Sequence, residues 1–528
     1  MNLDNKPPRD KSVLRTKSKH KHLEEYYDEH LNEILPKYFH RGDVVSTDRM
    51  LGYADAVMAT CATFLVIPIR NLHEMKTESL SDFIYSIRTE LIMFFLGFTV
   101  VLTIWENINV RTMVIKRVDD FILSLVILEM LATTVLPFSL SLQGHYPHQK
   151  TSIILTCCLL GLIQIIDIAI ICYSMETPRL LHIDLKNWTK SELHRLRNIM
   201  VLRPFLSIIF LVFGGVCCLV HYSLSWFFIA LLTLMPTIRK LYLYLRRRMN
   251  KTSRIERYQF YFHYSKGNMP KQRVEVMSDS AIAIITCILI LDITVEKFPQ
   301  KKDVDEKGLN FVLENMKSGF LIFLATFNMV SILWYVNHTV IHLFKTVTTL
   351  MLYLQKIFLS FCCLCPLAGN AVLKFASTEN EDTKTGIRFA ALIVFWSSIA
   401  NLFILFYGLL TDKKYMHQWA AFDHFKANTR QHLYTIFKTL NVPFWPLLCT
   451  LGTLGPPKIA KYFLYITFFA APLSFIAAKF LLMNHIGKAI RRRTTRKSTI
   501  IKQENKIHHA ATIEHQGNNF LLIDGTFV

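Results

Sequence analysis

Residues 273–293 read RVEVMSDSAIAIITCILILDI, and residues 49–69 read RMLGYADAVMATCATFLVIPI. Arg49 stands six residues before Asp55 as Arg273 stands six before Asp279, and each Asp opens an uncharged run of a dozen residues. With its flanks, such a run reaches the ~20 residues that carry a helix across a ~30 Å hydrocarbon layer. The two stretches therefore predict a duplicated membrane unit with its acidic groups near one membrane face. Other landmarks recur at a nearly constant spacing, as an internal repeat requires. Asp279 follows Asp55 by 224 residues, Trp334 follows Trp105 by 229, and Pro366 follows Pro137 by 229. The five-residue drift falls between the first and second spans, Leu72 to Phe83 against Glu296 to Phe311, in a loop where insertion costs least.

At 528 residues, 52% of them hydrophobic, and with a mean hydropathy of +0.30, the chain is too apolar for a soluble protein and long enough for about a dozen spans. Apolar runs lie at 50–70, 89–108, 121–142, 151–174, 200–221 and 224–245, then at 275–295, 318–340, 347–373, 387–410, 432–454 and 459–483. We expect an all-α integral membrane protein of twelve transmembrane helices in two parallel six-helix repeats. The divisions are a polar arm over 1–48, a first repeat over 49–245, a basic linker over 246–273, a second repeat over 274–483 and a basic tail over 484–528.

The formal charge of +21 does not point to nucleic acid, because Lys and Arg gather in the tails and in alternate loops, as cytoplasmic loops require. Arg111, Lys116 and Arg117 fall in one such loop, Arg179 to Arg197 in a second, the 246–273 linker in a third and Lys413 to Arg430 in a fourth. Both termini are expected in the cytosol, with anionic-lipid contact open to the basic tails. The eleven Cys lie almost wholly within apolar runs and read as small hydrophobes rather than metal ligands. No phosphate loop, nucleophile elbow, zinc motif or Thr-Val-Gly-Tyr-Gly filter is present, so no enzyme chemistry and no cofactor are expected.

Asp55 and Asp279 are functional candidates as ionisable groups at the membrane boundary, beside the plainer reading of helix N-terminal carboxylates. Six residues turn a helix by about 600°, so each Arg lies about 120° from its own Asp and should pair with a neighbouring helix. We favour a structural clamp over an ion-binding role. Trp105 and Trp334 read as interfacial indoles, and Glu129, Asp167, Lys356 and Asp292 as intramembrane charges without assignable partners.

The order Arg273, three residues, Met277-Ser278-Asp279, and its counterpart Arg49 with Tyr53-Ala54-Asp55, resemble the motif Arg, three residues, Phe-Ser-Asp of the endolysosomal potassium (and proton) channel family, transmembrane protein 175. The resemblance covers residues 45–485 and implies a homodimer in which the first helix of each repeat lines the pore. It implies permeant K+ and H+ and an endosome or lysosome membrane. Arg49, Tyr53, Asp55, Arg273, Ser278 and Asp279 would then form the pore mouth. Residue-by-residue transfer places the constriction at Ile284 and, in the first repeat, at Thr60, with Ala59, Thr63, Ile67, Ala283, Cys287 and Leu291 along the lining. Two parallel six-span halves are also the plan of a secondary transporter, and that alternative stays open here.

Overall fold

In a computed structural model, residues 44–70, 80–238, 269–291, 298–375, 381–411 and 425–480 are described, with 241, 245, 415–417 and 420 and without 183, 184, 186 and 187. Asp292 and most of the linker and tails lie outside them. The first half holds α1 (Thr47–Phe64, resuming as Ile67–Arg70), α2 (Arg88–Thr112), α3 (Asp120–His145), α4 (Lys150–Glu176), α5 (Lys190–Cys217) and α6 (Tyr222–Thr233). The second holds α7 (Lys271–Leu291), α8 (Leu309–Ile341), α9 (Thr349–Cys363, resuming as Cys365–Phe375), α10 (Glu381–Leu410), α11 (Phe425–Gly452) and α12 (Pro457–Phe480).

Ten helices among the described residues are long and apolar enough to cross a membrane, against the twelve expected. The two short of that measure are α6, of which 12 residues form a regular apolar helix, and α11. The latter is 28 residues long but carries Lys438, Asn441, Pro443 and Pro446, which dilute its apolar character. The chain is a multi-pass, helical membrane protein.

Two small ladders repeat at the spacing read from the sequence. β1 (Val44–Ser46) pairs antiparallel with β2 (Arg117–Asp119), aligning Ser46 with Arg117. β3 (Met269–Pro270) pairs with β4 (Thr346–Val347), aligning Pro270 with Thr346. These positions differ by 224 and 229 residues, so each ladder ties the entry of a first helix to the turn between the second and third. Local chemistry fixes the ends: the Asp119 carboxylate accepts from the Ile122 N–H at the start of α3, and Thr189 with Glu192 forms a reciprocal cap on α5, both satisfying amides that a helix leaves unpaired. α1 packs on α2, α3 and α7, and α9 packs on α2, joining the halves.

Candidate ion path and its clamps

Each Trp of the repeat holds the Asp of its own repeat. The Trp105 indole N–H donates to Asp55 Oδ1 at 2.8 Å, and that of Trp334 to Asp279 Oδ1 at 2.7 Å. Trp105 is buried in the protein rather than set at a lipid boundary, which corrects the interfacial reading. An indole N–H taken from water needs such an acceptor.

Arg273 joins the halves. Its guanidinium donates to both oxygens of Asp55, at 2.7 and 2.6 Å, and its Nε–H to Asn109 Oδ1 at 2.8 Å. Asn109 in turn donates to the Trp105 carbonyl at 2.9 Å. The Arg of the second repeat thus grips the Asp of the first, on a neighbouring helix as the rotation argument requires. Paired charge-assisted bonds of this kind carry geometric specificity as well as energy. Ser278 is buried, donating to the Val274 carbonyl and accepting from Gln355 Nε2, each at 2.8 Å. Arg49 and Asp279 are exposed, and among the described residues neither has a salt-bridge partner.

The expected lining residues divide. On α7, Ala283, Cys287 and Leu291 lie exposed at successive turns with Ile284 partly exposed beside them. On α1 the open strip is Gly52, Tyr53, Ala56, Thr60, Phe64 and Ile67. Ala59 and Thr63 are fully buried inside the chain, because they sit on the opposite side of α1 from that strip. Thr60 turns its hydroxyl back, donating to the Ala56 carbonyl at 2.8 Å, so its methyl and oxygen lone pairs are what the strip presents.

The intramembrane charges have partners. Arg111, expected in a cytosolic loop, is buried on α2; it donates Nη2–H to Glu129 Oε2 at 2.8 Å and Nη1–H to Asp167. Lys356 of α9 donates to Glu106 Oε2 and to Thr103 Oγ1 of α2, each at 3.0 Å, with both ionic side chains buried. The sequence reading missed Glu106 and misplaced Arg111 because each stands at a helix end among loop charges. The signal available was their position inside an otherwise apolar α2. In the second half, Asn337 Nδ2 donates to Gln355 and to Asn401, at 2.9 and 2.7 Å, and Lys438 donates to the Tyr335 hydroxyl at 2.6 Å. Among the described residues no His, Cys, Asp and Glu group has the arrangement of a metal centre.

The profile of the family described as "Endosomal/lysosomal potassium channel TMEM175" matches residues 49–137 and 273–366. Both matches start on the clamp Arg and end on the repeat's Pro. The chain is TMEM175-like in both halves. Among curated relatives, "Endosomal/lysosomal proton channel TMEM175" of Danio rerio is 25% identical over 404 residues, covering 74% of this chain and 75% of the relative. The proteins of that name from Rattus norvegicus and Homo sapiens are 25% identical over 449 residues and 24% over 446, covering 83% and 82% of this chain and 87% and 86% of theirs. All are named as channels, a class without enzymatic activity, in keeping with a sequence that carries no catalytic set. The resemblance to TMEM175 therefore extends well beyond the two clamp motifs.

Proposed function

We propose that the chain is a cation channel of endosome and lysosome membranes, potassium-selective with proton permeation, formed by a homodimer. Its membrane plan is two parallel six-span repeats with α6 and α11 completing the twelve, and both termini in the cytosol. The observation that carries the reading is the half-used clamp. Arg273 on α7 meets Asp55 on α1 within one chain, while Arg49 on α1 and Asp279 on α7 stand exposed. Around a shared axis in the order α1, α7, α1, α7, Arg49 of one protomer reaches Asp279 of the other, and all four first helices are clamped alike. A closed C2 arrangement of this kind uses each surface once.

The axis is then bordered by the open strips of α1 and α7, with two Ile284 and two Thr60 as the narrowest level. Thr60 lies eleven residues beyond Arg49, ~16 Å along a helix, near the middle of a ~30 Å core. A ring of apolar side chains excludes ions by dewetting. The names of the relatives support conduction over carrier transport, and both cations are kept because the family description names potassium and the relatives' names the proton.

The test is patch recording from organelle membranes with potassium, sodium and proton gradients imposed separately. Currents far above carrier turnover, reversing near the potassium potential and shifting with the proton gradient, are expected. Stoichiometric, carrier-like turnover would replace the channel by a transporter.

A further inference from the structure

The two clamps differ in one chemically decisive residue. In the clamp made within the chain, Arg273 Nε–H donates to the amide oxygen of Asn109 at 2.8 Å, a group that does not titrate. The position 229 residues on from Asn109, the spacing that relates Trp105 to Trp334, is His338. His338 is exposed beside Asp279, to which it is linked through Trp334: its ring stacks on that indole with centroids 5.8 Å apart and planes at 26°, and the indole N–H bonds Asp279. We infer that His338 is the proton-sensitive acceptor for Arg49 of a second copy of this chain, so that acid on the basic side of the membrane loosens the joint between protomers. This rests on the homodimer proposed above.

The charges around His338 support the sign. On α8 its other face stacks on His342, with centroids 6.2 Å apart. His342 accepts from or donates to Lys271 of α7 at 2.9 Å, and partial burial followed by that ammonium hold its pKa below the ordinary imidazole range. His342 thus stays neutral as pH falls. Glu275 of α7 is engaged by Lys271 at 3.4 Å, and His417, also held low by burial and by Lys271 and Lys345, stands further along. The carboxylate closest to the joint is Asp279, which Arg49 of the second copy neutralises. A proton on His338 therefore adds an uncompensated positive charge and removes the lone pair that Arg49 needs. The joint is intact while His338 is neutral and is weakened as pH falls through the imidazole range. The clamp within the chain, with Asn109, keeps its strength.

The experiment measures dimer dissociation of the full chain in nanodiscs or detergent by dilution at pH 7.5 and pH 5.5, for wild type, His338→Asn and Asn109→His. With two such joints per dimer, wild type is expected to weaken about a hundredfold at the lower pH, tenfold per joint, each tenfold being about 1.4 kcal/mol. His338→Asn should remove that dependence while remaining dimeric, and Asn109→His should lower thermal stability at pH 5.5 without further weakening the dimer. A dimer whose affinity is unchanged between the two pH values, or equally changed in His338→Asn, overturns the inference and leaves the homodimer standing. A chain that is monomeric at both pH values overturns the homodimer itself.

Discussion

In the first half, Arg111, Glu129 and Asp167 tie α2, α3 and α4 together through charge; in the second, Asn337, Gln355 and Asn401 tie α8, α9 and α10 through amides. The same three helices of each repeat are joined by unlike chemistry. Asn337 and Gln355 lie three residues short of the places matching Arg111 and Glu129, which Val340 and Phe358 fill, so the amide network sits one helical turn along. A repeat thus preserves which helices touch while leaving the means of joining them free. The consequence is energetic. Deleting one member of a buried ionic set strands a charge, whereas deleting one amide strands only a dipole.

The sharpest break of that comparison is Arg111→Ala, which leaves two buried carboxylates without their cation and is expected to cost about 3–5 kcal/mol. Asn337→Ala should cost about 1–3 kcal/mol. Equal losses in the midpoint of thermal unfolding would mean that the ionic and amide cores are energetically alike. Lys356→Met should fall near the first value, since it strands Glu106 between the halves, and adding Glu106→Gln should recover most of the loss; no recovery would show that Lys356 acts through packing rather than charge.

The clamps offer a second cut through the same contrast. Arg273→Ala should lower the stability of the chain itself by about 3 kcal/mol through the stranded Asp55, and Arg49→Ala should spare the monomer and weaken the dimer. If Arg49→Ala unfolds the monomer and leaves association unchanged, the two Arg residues do not play the paired roles assigned to them.

Smaller effects are expected at the constriction, where the halves differ by Thr60 against Ile284. Thr60→Ile should lower open probability and sharpen potassium over sodium, and Ile284→Thr should raise leak. Because Thr60 already bonds its own backbone, the change at Thr60 should be the milder of the two. Unchanged conductance and permeability ratio in both variants would place the narrowest level elsewhere. Smallest of all is removal of the tail from Lys488 onward, a segment outside the described residues, which should leave current intact. Loss of current with normal delivery to the membrane would assign that tail a part in conduction.

The sequence by itself determined the helical membrane class and its repeat: hydropathy reports length and burial in lipid, and a spacing of 224 to 229 residues survives because two halves with the same contacts drift in their loops. It also determined that Arg273 could not serve its own Asp279, since helical rotation is a local property. What only the tertiary structure decided is which groups meet. Trp105 with Asp55, Arg111 with Glu129 and Asp167, and Lys356 with Glu106 are separated by 50, 18, 56 and 250 residues, and a helix's period fixes its faces without naming the neighbour each face will find. The placement of Ala59 and Thr63 inside the chain, with Thr60 beside them on the open strip of α1, has the same cause: the rotation of α1 is set by its packing on α2, α3 and α7, and a 100° step per residue lets that packing turn one Thr outward and the next inward.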